Sequence, residues 1–260
     1  MGTVSKALSL LNYFSRSQSH IGLSEMARLT GMNKTTVHRM LTELQDQGFV
    51  EQTNSGREYR LGPAFLRLAA LREATVPRRD LAQSVADDLA MRTGETAHVS
   101  LLHGEVLSTI AYAYAHQHGL QVTMDDAEIL PLHATSSGHV VLAYAEPSFA
   151  KAALERPLEA FSSGTLTDRK LIKAKLDDIR RDGFAEAISA FETDVHTHAA
   201  PLFDASQACI GAVAVAAPSA RMSAEARMRI RTALLDASPR LTRLMGGFLP
   251  PSYRQKEPAA

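Results

Sequence analysis

The segment LSEMARLTGMNKTTVHRMLT, residues 23–42, holds two short apolar stripes on either side of a glycine. Met26, Ala27 and Leu29 fit a helix over Ser24–Thr30 with Ser24 as its N-cap. Gly31 supplies a tight turn, and Asn33 is a good N-cap for a longer helix running to Gln47. In that helix Val37, Met40, Leu41 and Leu44 recur at i, i+3, i+4 and i+7 and form one buried stripe. Its other face carries Lys34, Thr35, His38, Arg39 and Thr42, all polar or cationic. Upstream, Ala7, Leu8, Leu10, Leu11 and Phe14 mark another helix from about Val4 to Ser17, which Ser19–Gly22 breaks. After Gly48 the period shortens. Phe49–Gln52 and Arg57–Leu61 flank Asn54-Ser55-Gly56 and read as a hairpin. Three helices followed by a glycine-tipped hairpin predict a winged helix-turn-helix over residues 1–62.

The geometry of such a module assigns its chemistry. The third helix fits the major groove with one face packed on its neighbours and the other turned to the bases. The turn formed by Asn33, Lys34, Thr35 and Thr36 is a helix N-terminus, where free N–H groups and the macrodipole favour a phosphate. His38 and Thr42 share the outward face. Arg39 can read a guanine edge or grip a phosphate, and Arg57 in the wing can reach the minor groove or the backbone. The formal net charge of the whole chain is zero, but residues 1–75 carry nine Lys/Arg against six Asp/Glu. The front is therefore +3 and the remainder −3, a modest excess for phosphate contacts.

Residues 63–93 read as a helical linker that also joins protomers, with helices from Pro63 to about Ala74 and from Arg78 to Met91 separated by Pro77. Beyond Thr93-Gly94 the pattern is mixed. Strands are predicted at Thr96–Leu102, Glu105–Tyr114, Gln121–Met124, Gly183–Ile188, Ala199–Phe203 and Ile210–Ala216. Helices are predicted at Ser136–Ala145, Ser148–Leu154, Asp168–Arg181 and Ala224–Leu244. This irregular order predicts an α+β protein whose second domain spans residues 94–249, with a polar, disordered tail at 250–260. Apolar residues make up 45% of the chain and charged residues 22%, a globular balance. No apolar run reaches the ~18 residues of a membrane span, and Met1–Leu11 lacks a signal-peptide pattern. The lone Cys209 gives no intrachain disulfide, so a cytoplasmic protein is expected.

Several runs carry a resemblance. Val4–Leu11, Leu23–Ala27, Lys34–Leu41, Gly48–Val50 and Tyr59–Gly62 are similar to the DNA-binding part of the isocitrate-lyase-regulator (IclR) family. Leu130–Gly138, Arg181–Ala185 and Ala199–Asp204 resemble its effector domain. The likeness spans roughly residues 3–245. It implies a GAF/PAS-like C-terminal domain that binds a small organic acid, and a regulator that meets double-stranded operator DNA as a homodimer or dimer of dimers. Thr135, Ser136, Ser137 and Gly138 open a helix whose hydroxyls and unpaired N–H groups can hold a carboxylate; simple capping is the alternative. The resemblance places further pocket positions at Ala187, Thr197, Ala214 and Ala216, and His133 is a further effector-binding candidate. Family members that bind small keto acids carry polar groups at such places, so alanines here suggest a roomier pocket for a larger, even aromatic, acid.

No cofactor and no metal is expected. His196-x-His198, His116-x-His118 and His133 lack a convincing zinc spacing, and His133 and His198 read as packed or pocket hydrogen-bonding groups. Glu186 and Glu192 are a conceivable carboxylate pair, but no nucleophile elbow, P-loop or dinucleotide turn accompanies them, so no enzyme is expected. A protein-interaction adaptor would leave the Lys34–Thr42 face without a purpose.

Overall fold

The computed structural model describes residues 2–15, 18–53, 57–115, 119–125 and 128–253. The chain divides into two compact units, Met1–Pro77 and Arg78–Ala260. In the first, α1 (Thr3–Leu10) passes through a short 3-10 turn to β1 (Ile21–Gly22), then α2 (Leu23–Thr30), α3 (Lys34–Asp46), β2 (Val50–Gln52), β3 (Glu58–Leu61) and α4 (Ala64–Thr75). Gly31 ends α2 in the left-handed conformation at φ 67°, where a Cβ would be strained. Asn33 then caps α3, its side chain accepting from Thr36 N at 2.8 Å. Val37, Met40, Leu41 and Leu44 enter one core with Leu10, Ile21, Met26, Val50 and Tyr59.

Three local features differ from expectation. The first helix, expected to reach Ser17, ends at Leu10 with a 3-10 turn to Tyr13, and Phe14 is already extended. Gly22, not Ser24, is the N-cap of α2, without a side-chain bond. Ile21 and Gly22 form a strand that pairs with Tyr59 and Glu58, so the wing is a three-stranded sheet in the order β1-β3-β2. The expected turn Asn54-Ser55-Gly56 lies outside the described residues.

The second unit holds α5 (Arg78–Thr93), β4 (Thr96–His103), β5 (Val106–Ala113), α6 (Ser136–Tyr144), α7 (Pro147–Glu155), α8 (Arg169–Asp182), β6 (Ala185–Ile188), β7 (Val195–Phe203), β8 (Cys209–Pro218) and α9 (Ala224–Leu244). The segment expected as one linker is thus divided: α4 belongs to the first unit and α5 to the second. All five strands run antiparallel in the order β5-β4-β8-β7-β6. The period of two decides the faces. Ala97, Val99, Leu101, Ala200, Leu202, Val213 and Val215 pack against α5 and α9, whereas Ala199, Ala212 and Ala214 pack against α6 and α8. Fold class is as predicted, α+β with a winged helix-turn-helix followed by a helix-flanked sheet domain.

The expected strand at Gln121–Met124 is absent, the segment being irregular, although Val122 and Met124 are buried. Thr96 Oγ1 donates to Val122 O at 2.7 Å, and the Tyr114 hydroxyl bonds to Met124 through both its N–H and its carbonyl. Side chains therefore satisfy a backbone that has no strand partner. Tyr253, assigned by sequence to the tail, is buried with its ring 5.4 Å from Phe203 and 5.7 Å from Tyr144. Residues 254–260 lie outside the described residues.

Candidate functional sites: the recognition helix and the α6 cavity

The structure gives α3 the two faces its sequence requires. Opposite the buried stripe, Asn33, Lys34, Thr35, His38, Arg39 and Thr42 are exposed and Thr36 is half-buried. Thr42 Oγ1 donates back to His38 O at 3.0 Å, which holds that hydroxyl to the helix. Arg57, in the wing, is also exposed. Cations nearby are of two kinds. Arg28 is forked onto Glu25 and Arg60 is paired with Glu51, whereas Lys34, Arg39 and Arg57 have no ion pair among the described residues. A guanidinium already neutralised by a carboxylate contributes little to binding a polyanion, so the unpaired group matters most. Sequence counting cannot separate the two kinds.

In the second unit α6 begins over the sheet. Thr135 is its N-cap, Oγ1 accepting from Gly138 N at 2.9 Å, and the first-turn N–H groups of Ser136 and Ser137 have no intrahelical acceptor. Thr135, Ser136 and Ser137 line a cavity of about 40 Å³ with Thr197 and Ala216 from the sheet, His98 from β4, Glu128 and Leu130 from the segment before α6, and Phe191 and Glu192 from the β6–β7 turn. That turn is held by two non-glycine residues in the left-handed region, Ser189 (φ 47°) and Asp194 (φ 60°), with Asp194 N–H bonded to Ser189 Oγ at 3.1 Å. His98 Nε2 lies 3.3 Å from Ser137 Oγ, and burial lowers its pKa to about 4. Burial raises the carboxyls of Glu128 and Glu192, and for Glu128 the neighbouring charge of Glu192 adds to the effect.

Of the effector positions read from sequence, Thr135, Ser136, Ser137, Thr197 and Ala216 meet at this cavity. The other four are not among its described lining residues. Gly138 is under steric compulsion: a Cβ there would sit 2.4 Å from both Cα and O of Leu132. Ala214 is packed in the apolar layer with Ala199, Ala212, Val140 and Leu142, where its small size admits α6 close to the sheet. Ala187 is buried on β6 opposite Thr197. His133 is turned to Glu159 O at 2.9 Å and lines a separate cavity of about 190 Å³ between the segment before α6 and α7. The sequence reading did not find His98 or Glu128, and it took Glu192 as a partner of Glu186. A period-of-two reading of β4 would have put His98 on the face opposite Ala97 and Val99. Nothing in the sequence brings Glu128 to Glu192.

Glu186 instead meets His196 and His198 on the sheet face that packs against α9, its Oε1 2.6 and 3.2 Å from their Nε2 atoms. Those two N–H donors hold the carboxyl far below the usual range, and Arg227 on α9 lies 3.8 Å from the same oxygen. The donor atoms lie within 4.8 Å of one another, close enough for a metal. The oxygen is nonetheless already satisfied and faced by a guanidinium, so the arrangement suits a self-neutralised polar cluster better than a cation. His116 and His118 lie outside the described residues.

Two family models match this chain: the IclR helix-turn-helix domain over residues 3–54, and the bacterial transcriptional regulator IclR C-terminal domain over residues 73–243. The chain belongs to the IclR family. A crystal structure of a putative IclR transcriptional regulator from Silicibacter sp. TM1040 is 49% identical, with a TM-score of 0.89 over 98% of this chain and all of the other. The glycerol operon regulatory protein of Streptomyces coelicolor is 29% identical over 246 residues, 94% of this chain and 96% of that one. An IclR homologue from Microbacterium hydrocarbonoxydans, solved in complex with 4-hydroxybenzoate, is 22% identical with a TM-score of 0.57 over 94% of this chain and all of the other. That last likeness is one of fold. The chain is accordingly a DNA-binding transcriptional regulator and not an enzyme. No described helix is long and apolar enough to cross a membrane.

Proposed function

We propose that this IclR-type regulator binds a pseudo-palindromic operator as a dimer or dimer of dimers, and that a small organic acid in the α6 cavity changes its operator affinity. The observation that carries the DNA half is the exposed face of α3, where Lys34 and Arg39 have no ion pair among the described residues while Arg28 and Arg60 are paired. The helix enters the major groove, with the Asn33–Thr36 turn on a phosphate, His38, Arg39 and Thr42 towards base edges, and Arg57 of the wing on the flanking backbone. Self-association is supported by α4, which leaves Leu66, Leu68 and Leu71 exposed.

The sensing half is supported by the Ser136 hydroxyl and the free N–H groups at Ser136 and Ser137, which together suit a carboxylate, and by the bound 4-hydroxybenzoate of the Microbacterium homologue. Thr135 serves as the cap of that anion site, while Thr197 and Ala216 form its floor. A coupling of ~1–3 kcal/mol between effector and operator would change DNA affinity roughly 5–150-fold.

The test uses DNA selected from a random pool by the wild-type protein. Arg39→Ala should weaken its binding by at least tenfold and relax specificity at the base it reads, leaving effector affinity intact. Ser136→Ala should weaken effector binding and leave operator affinity intact. Crossed effects would refute the division of labour.

A further inference from the structure

The α6 cavity presents hydrogen-bond donors and negative charge together, an arrangement that a plain organic acid does not match. Donors come from the first turn of α6, where Thr135 uses only the Gly138 N–H and leaves those of Ser136 and Ser137. Acceptors come from Glu128 and Glu192, and Glu128 Oε2 is buried without a hydrogen-bond partner. His98, only 4% exposed, lines the same space with its Nδ1 unpartnered. No described lining residue is Lys or Arg. A keto monocarboxylate would add a negative group beside the two glutamates and leave the orphaned acceptor unsatisfied, and a hydroxylated aromatic one would satisfy the acceptor but still add the charge.

We infer that the effector is a small aliphatic amino acid, its carboxylate on the Ser136 hydroxyl and the Ser136 and Ser137 N–H groups and its ammonium between Glu128 and Glu192. This rests on the reading of the cavity as the effector site. An ammonium brings three donors and a positive charge, so it satisfies Glu128 Oε2 and relieves the repulsion between the two carboxyls. A neutral hydroxylated ligand would do only the first. Burial and mutual repulsion raise the carboxyl of Glu128, the direction expected of a charge site lacking its counter-ion. Size points the same way. A cavity of about 40 Å³ holds a few water-sized groups, well short of the ~150 Å³ that suits a benzene ring.

The experiment is calorimetry on the full chain with glycine, L-alanine, β-alanine and 4-aminobutanoate, each against its des-amino counterpart (acetate, propanoate or butanoate), with glycerol and 4-hydroxybenzoate alongside. At least one amino acid should bind, and at least tenfold more tightly than its des-amino counterpart. The double variant Glu128→Gln/Glu192→Gln should weaken that amino acid by tenfold or more without weakening the des-amino acid, and Ser136→Ala should weaken both. Silence of all four amino acids, or tighter binding of a des-amino acid, 4-hydroxybenzoate or glycerol, overturns the inference. If the tighter ligand loses affinity in Ser136→Ala, the cavity stands as the effector site and only the ammonium is refuted. If Ser136→Ala changes no ligand's affinity, both readings fall.

Discussion

Acidification from pH 7 to pH 5 should destabilise the second unit severely, through two histidines buried in it. His98 on β4 is pushed down to about 4 by burial. His139 on α6 is pushed down to about 3, by burial first and then by the charge of Lys175, against the opposing hydrogen bond to His133 O. In the unfolded chain both titrate near ~6.5. Because the folded values are the lower ones, between pH 6.5 and 4 the unfolded chain takes up protons that the native fold refuses. Stability is therefore full above about pH 6.5 and falls as the pH drops towards the folded values. The linkage integral between pH 7 and pH 5 comes to about 2 kcal/mol for each histidine and about 3–4 kcal/mol for the pair. That is a large share of the roughly 5–15 kcal/mol by which domains are stable. Glu186 does not confuse the measurement. Its lowered carboxyl keeps its contribution down to the unfolded value near ~4.3 and loses it only at lower pH. Urea unfolding of the full chain, followed by circular dichroism at pH 7, 6 and 5 and fixed ionic strength, gives the loss directly. The double variant His98→Gln/His139→Gln should lose the share of the pH dependence that these two carry, while His198, also lowered by burial, keeps a remainder. An unfolding midpoint equal at pH 7 and 5, or a variant that keeps the full dependence, would refute the argument.

Other substitutions probe single contacts. Arg221 is forked onto the buried carboxylate of Glu95 at 2.8 and 2.5 Å, so Arg221→Ala should cost about 3–5 kcal/mol by leaving that charge unpaired. Thermal denaturation should show partial recovery when Glu95→Gln is added. Gly138→Ala places a methyl group against the Leu132 backbone and should cost at least the ~1–3 kcal/mol typical of overpacking. A stability loss in chemical denaturation without ligand would separate this role from effector binding. Asn33→Ala removes the cap on Thr36 N and should cost about 1 kcal/mol in the first unit, seen as a lower midpoint in its denaturation. Equal stability would show that the cap is redundant.

The parts legible in sequence are those governed by neighbours within a few positions. Gly31 in the left-handed turn, Asn33 and Thr135 as caps, and the Val37–Leu44 stripe follow from backbone geometry that repeats every turn. Most strands and helices were placed within a residue or two for the same reason, although β7 begins four residues earlier than expected. Ile21 and Gly22 were read as a break because two residues carry no period; their strand exists only through Tyr59 and Glu58. Val122 and Met124 have strand-like alternation, yet their backbone is held by Tyr114 and Thr96. The chain after Pro250 looked polar, and Tyr253 became buried because Phe203 and Tyr144 offered it rings.

The sequence by itself determined that this is a two-part DNA-binding regulator, since caps, periodicity and the recognition-helix pattern are local and survive without a partner. Tertiary structure alone decided which cations on the DNA-binding unit are unpaired. It also decided that Gly138 and Ala214 serve packing, and that His98, Glu128 and Glu192 converge on the start of α6. Charge pairing, close approach and the character of a cavity depend on distances between groups far apart in the chain, and only the folded backbone sets those distances.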